Sequence, residues 1–128
     1  MFGFDEARDN YQQTYESDNK AEFSHELLAG GASFAAFKVF EDHQRKEGKP
    51  VSHQFAKELL AGFAGAEVDR VAETKGADYI DRERAKHEAK RRSEELYDQH
   101  YGGQDQYDPN QGPPQHIQDH FGGYDNNY

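Results

Sequence analysis

Apolar residues first recur with a helical period at Phe23. Phe23, Leu27, Gly30, Phe34 and Phe37 form one stripe, and Leu28, Ala32, Ala35 and Val39 form another. A helix apolar over most of its circumference is buried on several sides. Ser24 suits its N-cap, while Glu22 and Glu26 suit the positive end of its dipole. It is expected to end between His43 and Lys46, ahead of the stop Gly48-Lys49-Pro50. Ser52 opens a second predicted helix with two stripes, Phe55, Leu59, Phe63, Ala66 and Leu60, Ala64, Val68, Val71; Gly76 fits its C-cap, with Lys75 in the last turn. A third helix is predicted from about Asp78 to Tyr101, stopped by Gly102-Gly103. Its stripe of Ile80, Ala85, Ala89, Leu96 and Tyr97 is thin among many charges. Residues 1–20 are polar and aromatic without a period and read as a loosely ordered arm. Residues 102–128 are rich in Gly, Gln, Asn, Asp, Pro and Tyr, lack Lys and Arg, and read as a disordered tail.

The predicted fold is therefore all-α: an antiparallel Gly/Ala-rich hairpin with a third, charged helix packed on it, together a small three-helix bundle over residues 21–101. The hairpin carries an internal repeat. Glu26-Leu27-Leu28-Ala29-Gly30-Gly31-Ala32 matches Glu58-Leu59-Leu60-Ala61-Gly62-Phe63-Ala64. Glycine inside a helix costs about 0.5–1 kcal/mol relative to alanine, so its repeated use needs a reason. Close helix–helix approach is one, and it marks Gly30, Gly31, Phe34, Phe37, Gly62, Phe63 and Gly65 as a helix-packing or partner face. Room for a ligand between the helices, in a small enzyme or binding protein, is another.

Composition sharpens this picture. Leu, Ile, Val and Phe make up only about 16% of the 128 residues, below the roughly 20% under which highly charged chains tend to be disordered. Most of those residues lie between Phe23 and Val71. The core is thus thin and local, and thin cores often gain stability by oligomerising. A homo-oligomer, with two hairpins making a four-helix arrangement, is expected, or else a protein partner. With no Cys there is no disulfide frame, thiol nucleophile or Cys-ligated metal, and the cytoplasm is the expected location. Met1-Phe2-Gly3-Phe4-Asp5-Glu6 has no signal-peptide character. No apolar run reaches the ~20 residues of a membrane span.

Candidate chemistry is sparse. A net charge of −10 disfavours nucleic acid. The local basic run Arg82, Arg84, Lys86, Lys90, Arg91, Arg92 reads as a solvated helix face with pairs such as Glu88–Arg92. Nucleotide-loop, nucleophile-elbow, zincin and EF-hand motifs are missing, and no carboxylate is expected in an apolar setting that would push it toward neutrality. An enzyme is therefore not the expected function. Histidine is plentiful. If the helices fold back on each other, His43, His53 and His100 meet at one end of the bundle near Glu41, a donor set suited to Zn, Cu or Ni. Otherwise no cofactor is predicted.

The runs Ser24-His25-Glu26-Leu27-Leu28-Ala29-Gly30 through Glu41-Asp42-His43-Gln44-Arg45-Lys46-Glu47-Gly48, then Ser52-His53 and Ala61-Gly62-Phe63-Ala64-Gly65-Ala66-Glu67, resemble the fungal CipC-like (concanamycin-induced protein C) family. The resemblance covers residues 24–101. It implies a small intracellular protein of the antibiotic or stress response, and it brings no catalytic residue, substrate or cofactor.

Overall fold

The computed structural model describes residues 2–16, 24–74 and 81–121. Among them are five helices: α1 (Phe4–Tyr15), α2 (His25–Glu47), α3 (His53–Thr74), α4 (Arg82–Tyr101) and α5 (Gln115–Phe121). The cap residues explain the boundaries. Ser24 Oγ accepts from the Leu27 amide and Ser52 Oγ from the Phe55 amide, each at 3.1 Å, while Asp81 Oδ1 accepts from the Arg84 amide at 3.2 Å. Gly48 ends α2 in the left-handed conformation, with φ of 75° and its N–H on the Gln44 carbonyl. Phe23, Lys75, Gly76, Asp78 and Ile80 lie outside the described residues.

Helix α2 is the hub, packed against α1, α3 and α4 and touching α5. Lys57–Asp98 at 2.6 Å and Lys86–Asp69 at 3.0 Å make α3 and α4 antiparallel. α1 also runs antiparallel to α2, since Phe4 meets Phe37 and Thr14 Oγ1 donates to the Leu27 carbonyl. α2 and α4 run parallel: the Asp81 amide donates to His25 at one end, and Arg45 reaches Tyr101 at the other. Every α2 residue from Leu28 to Phe37 is buried.

Two expectations about the chain ends are corrected. The segment taken for a loose arm contains α1, which lies directly on the glycines of α2. A Cβ built on Gly30 would stand 1.9 Å from Asn10 Oδ1, and one on Gly31 would stand 3.1 Å from the Asn10 carbonyl oxygen and from Thr14 Oγ1. The close approach that glycine permits is therefore made by α1, not by the repeat in α3. Within the repeat, a Cβ on Gly62 would meet nothing within 4 Å, and one on Gly65 would face the Lys90 and Lys86 side chains. The repeated sequence occupies two different environments.

The tail is the second correction. Val51 and Tyr107 pair as an antiparallel bridge, and Tyr107, Pro113, Pro114 and Ile117 are buried. α5 lays Phe121 on Phe34, with ring centroids 5.6 Å apart, and on Tyr11 at 5.2 Å. Composition counted the polar residues here and missed that a few apolar anchors suffice when distant side chains bind the carbonyls between them. The core cluster consequently runs from Ala7 to Ile117, beyond the hairpin at both ends.

Candidate functional site

The end of the bundle expected to hold a metal is organised around a carboxylate instead. Glu41 is 0% exposed. Its Oε2 accepts from Tyr101 Oη at 2.5 Å and its Oε1 from Arg45 Nε at 2.9 Å. The Arg45 fork continues to the backbone, donating to the Pro109 carbonyl at 2.6 Å and the Gln111 carbonyl at 2.7 Å. Burial pushes the Glu41 carboxyl up to about 7, outweighing the opposing pull of Arg45 and the Tyr101 hydrogen bond. The expectation that no carboxylate has an apolar setting is thereby overturned. Its local signal was the Phe37-Lys38-Val39-Phe40 run before it and Arg45 one turn later, and its third partner, Tyr101, is far away in sequence. Both carboxylate oxygens are occupied, and neither of the surface recesses described below includes Glu41, so the group acts as an anchor for the tail.

The three candidate histidines make separate contacts. His53 Nε2 donates to the Gln104 carbonyl at 2.5 Å, which leaves Nδ1 to accept from Tyr97 Oη at 2.6 Å. His100 Nε2 donates to the Gly112 carbonyl at 2.7 Å, and burial holds its pKa below the ordinary histidine value. His43 is exposed, with Nδ1 beside Gln44 Oε1 at 2.8 Å and its ring against Phe63. His53 and His100 thus bind tail carbonyls. Among the described residues no group of three or more His, Asp and Glu side chains is placed to hold a metal ion.

The predicted packing face divides in the same way. Gly30, Gly31, Phe34 and Phe37 are buried in the interior. On α3, the stripe Leu60, Ala64, Val68, Val71 is buried, while the stripe Phe55, Leu59, Phe63, Ala66 looks outward. Phe55 is 51% exposed, Leu59 and Phe63 are half-buried, and Gly62 and Ala66 are exposed. Val39 of α2, 37% exposed, extends the patch. A small recess of about 140 Å³ adjoins it, lined by residues that include Ala35, Val39, Glu67 and Arg70. Glu67 accepts from Tyr15 Oη at 2.7 Å and pairs with Arg70 at 2.8 Å, so the polar rim beside the stripe is already neutralised.

Three of the six residues of the basic run on α4 face acids. Arg82 and Lys86 reach Asp69 of α3, and Arg91 pairs with Glu95. The expected Glu88–Arg92 pair does not form: Arg92 lies over the Phe2 ring at 4.7 Å, and its Nε and Glu88 Oε2 are both buried without a hydrogen-bond partner.

A family model described as "Virulence factor CipC-like" matches residues 10–100. The chain belongs to the CipC-like family. No curated protein and no solved structure matches it. The match begins within α1, takes in all of α2, α3 and the exposed α3 stripe, and stops at His100. The tail that Arg45, His53 and His100 hold in this CipC-like protein lies beyond that span. None of the described helices is long and apolar enough to cross a membrane.

Proposed function

We propose that this CipC-like protein is a non-catalytic association module that pairs with a second copy of itself through the outward stripe of α3. The observation that carries the proposal is the stripe Phe55, Leu59, Gly62, Phe63, Ala66, apolar throughout, with Phe55, Gly62 and Ala66 exposed and Leu59 and Phe63 half-buried. It is self-complementary in size. If two α3 helices cross antiparallel about a two-fold axis between Gly62 and Phe63, each Phe63 meets the partner's Gly62 and each Leu59 meets the partner's Ala66. Isologous contacts need such a match of large against small on one patch. Of the partner face first expected, the α2 part (Gly30, Gly31, Phe34, Phe37) is buried, so this pairing uses the α3 part alone. A cytoplasmic role in a fungal antibiotic or stress response belongs to the same proposal and rests on the family resemblance.

One helix pair sits at the small end of specific interfaces, so a Kd of about 10–100 µM is expected. Light scattering behind size exclusion, run as a concentration series, tests it. The expected result is a dimer at high concentration that Gly62→Glu returns to monomer without lowering the melting temperature. A monomer at about 500 µM, far above that Kd, or a dimer indifferent to Gly62→Glu, refutes it.

A further inference from the structure

We infer that the recess between α1, α2, α3 and α5 is the socket for Phe55 of a second copy of this chain. The inference rests on the α3 pairing proposed above and adds to it a contact outside α3. The large hydrophobics left exposed among the described residues are Phe55, at 51%, and Val39, at 37%. Within one chain they stand apart. His43 packs on Phe63, so Val39 lies one turn from the level of Phe63, and Phe55 lies two turns from it in the opposite direction. That separation along the antiparallel pair α2 and α3 is about 18 Å.

The two-fold axis removes it. Phe55 and Arg70 stand equally far from an axis between Gly62 and Phe63, one on each side, so the partner's Phe55 arrives at the level of Arg70. Arg70 and Val39 both line the recess. With Gly62 at the crossing point, the two α3 helices can approach in the steep class of about −40 to −50°. A crossing of that sign carries the first half of each α3 over the partner's α2, toward Val39.

The recess suits a phenyl ring in size and chemistry. Its volume is about 140 Å³, and an apolar cavity of about 150 Å³ takes up a benzene ring. Tyr11, Tyr15 and Phe121 supply aromatic wall, Ala35 and Val39 aliphatic wall. An entering ring strands no charge, because Glu67 accepts from Tyr15 and pairs with Arg70, and Lys38 pairs with Asp42 at 2.6 Å. Area favours the same contact. A fully buried Phe covers about 150–250 Å², so a half-exposed one has about 100 Å² left to bury. Ring and wall together, at both symmetry-related sockets, add about 400 Å² to a helix pair that alone sits at the small end of specific interfaces. A larger groove on α4, of about 670 Å³ and lined by Phe2, Arg91 and Gln99 among others, shares no residue with the recess or the α3 stripe.

Site-specific cross-linking tests the socket in a chain that has no native cysteine. The double variant Val39→Cys with Phe55→Cys, treated with a short bismaleimide, should give a covalent dimer on a denaturing gel. Each single variant should stay monomeric, as should Phe55→Cys combined with Arg91→Cys in the α4 groove. Adding Gly62→Glu to the reactive double variant should abolish the product. By light scattering, Val39→Glu should weaken self-association about tenfold and leave the melting temperature unchanged. Suppose the wild type dimerises and Gly62→Glu dissociates it. No covalent dimer from the reactive double variant, or Val39→Glu dimerising like wild type, then overturns the socket and leaves the α3 pairing standing. If the wild type stays monomeric at about 500 µM, both fall.

Discussion

Gly30→Ala measures whether α1 truly rests on α2. In an exposed helix the change would stabilise by about 1 kcal/mol through propensity alone. Here the new Cβ would lie 1.9 Å from Asn10 Oδ1, 2.7 Å from Asn10 Cγ and 3.0 Å from Asn10 Cβ. Rotating the Asn10 amide away removes the first two clashes and leaves the third, so the α1 backbone must also give. Overpacking of this kind costs about 1–3 kcal/mol, and α1 loses part of its contact with Phe34 and Phe37 as it lifts. Setting that cost against the propensity gain leaves a net loss of up to about 2 kcal/mol. Gly62→Ala is the matched control: its Cβ meets nothing within 4 Å, so only the gain of about 0.5–1 kcal/mol remains. Urea unfolding followed by circular dichroism should separate the two variants by about 2 kcal/mol, near 8 °C in melting temperature for a domain of this size. Adding Asn10→Ala to Gly30→Ala should recover part of the loss, which a double-mutant cycle quantifies. If Gly30→Ala is as stable as Gly62→Ala, α1 does not sit on this glycine and the account of the buried hub fails.

Burial raises the Glu41 carboxyl from its ordinary value to about 7. The folded state therefore holds that proton more tightly than the unfolded chain, and the resulting stability is complete below the unfolded value and lost as pH rises through 7. Relative to Glu41→Gln, wild type should lose up to about 3 kcal/mol between pH 5 and 8 in chemical unfolding; a flat difference refutes the assignment. Arg45→Ala leaves Glu41 buried without its cation and frees two tail carbonyls, and should cost about 3–5 kcal/mol. Amide exchange at Val51 and Tyr107 should accelerate with it, and unchanged protection there would show that Arg45 does not hold the tail. Truncation after Gly102 removes Tyr107 and Ile117 from the core and should destabilise by about 3–5 kcal/mol; an unchanged unfolding midpoint would return the tail to a passive role.

The helices with strong periods were legible, and the reason is local. Ser24, Gly48, Ser52 and Gly102-Gly103 punctuate the chain with side-chain caps and stops that act within a few residues. What could not be read was which surface each face meets. The all-round apolar face of α2 was correctly a sign of burial on several sides, but part of the covering surface comes from α1, whose own pattern is weak because the residues that dock on the bare glycines, Asn10 and Thr14, are polar. The tail escaped for a related reason. Its order depends on Arg45, His53 and His100 reaching carbonyls at 104, 109, 111 and 112, and backbone acceptors leave no trace in composition. The histidines were expected as a group at one end of the bundle, whereas His53 and His100 bind tail carbonyls and His43 packs on Phe63. Their ring directions depend on helix rotation, which an end-of-bundle argument does not contain.

The same closure constrains how this protein can associate. With most of α2 covered and the open end filled by the tail, the large hydrophobics left exposed among the described residues are Phe55 on the α3 stripe and Val39, close to a rim where Glu67 and Arg70 already satisfy each other. Two copies meeting there bring together net charges of −10 each. The Debye length is about 8 Å at physiological ionic strength, so charges beyond the helix rim are largely screened there and felt strongly at low salt. Because an apolar patch with a neutralised rim offers no interfacial ion pairs for salt to weaken, added salt has only repulsion to remove. Association through α3 should strengthen as ionic strength rises, whereas a contact built on the basic run of α4 against an acidic partner surface would weaken. Sedimentation at low and high salt tells the two apart by sign alone, and a dimer that dissociates on adding salt would move the interface from α3 to α4.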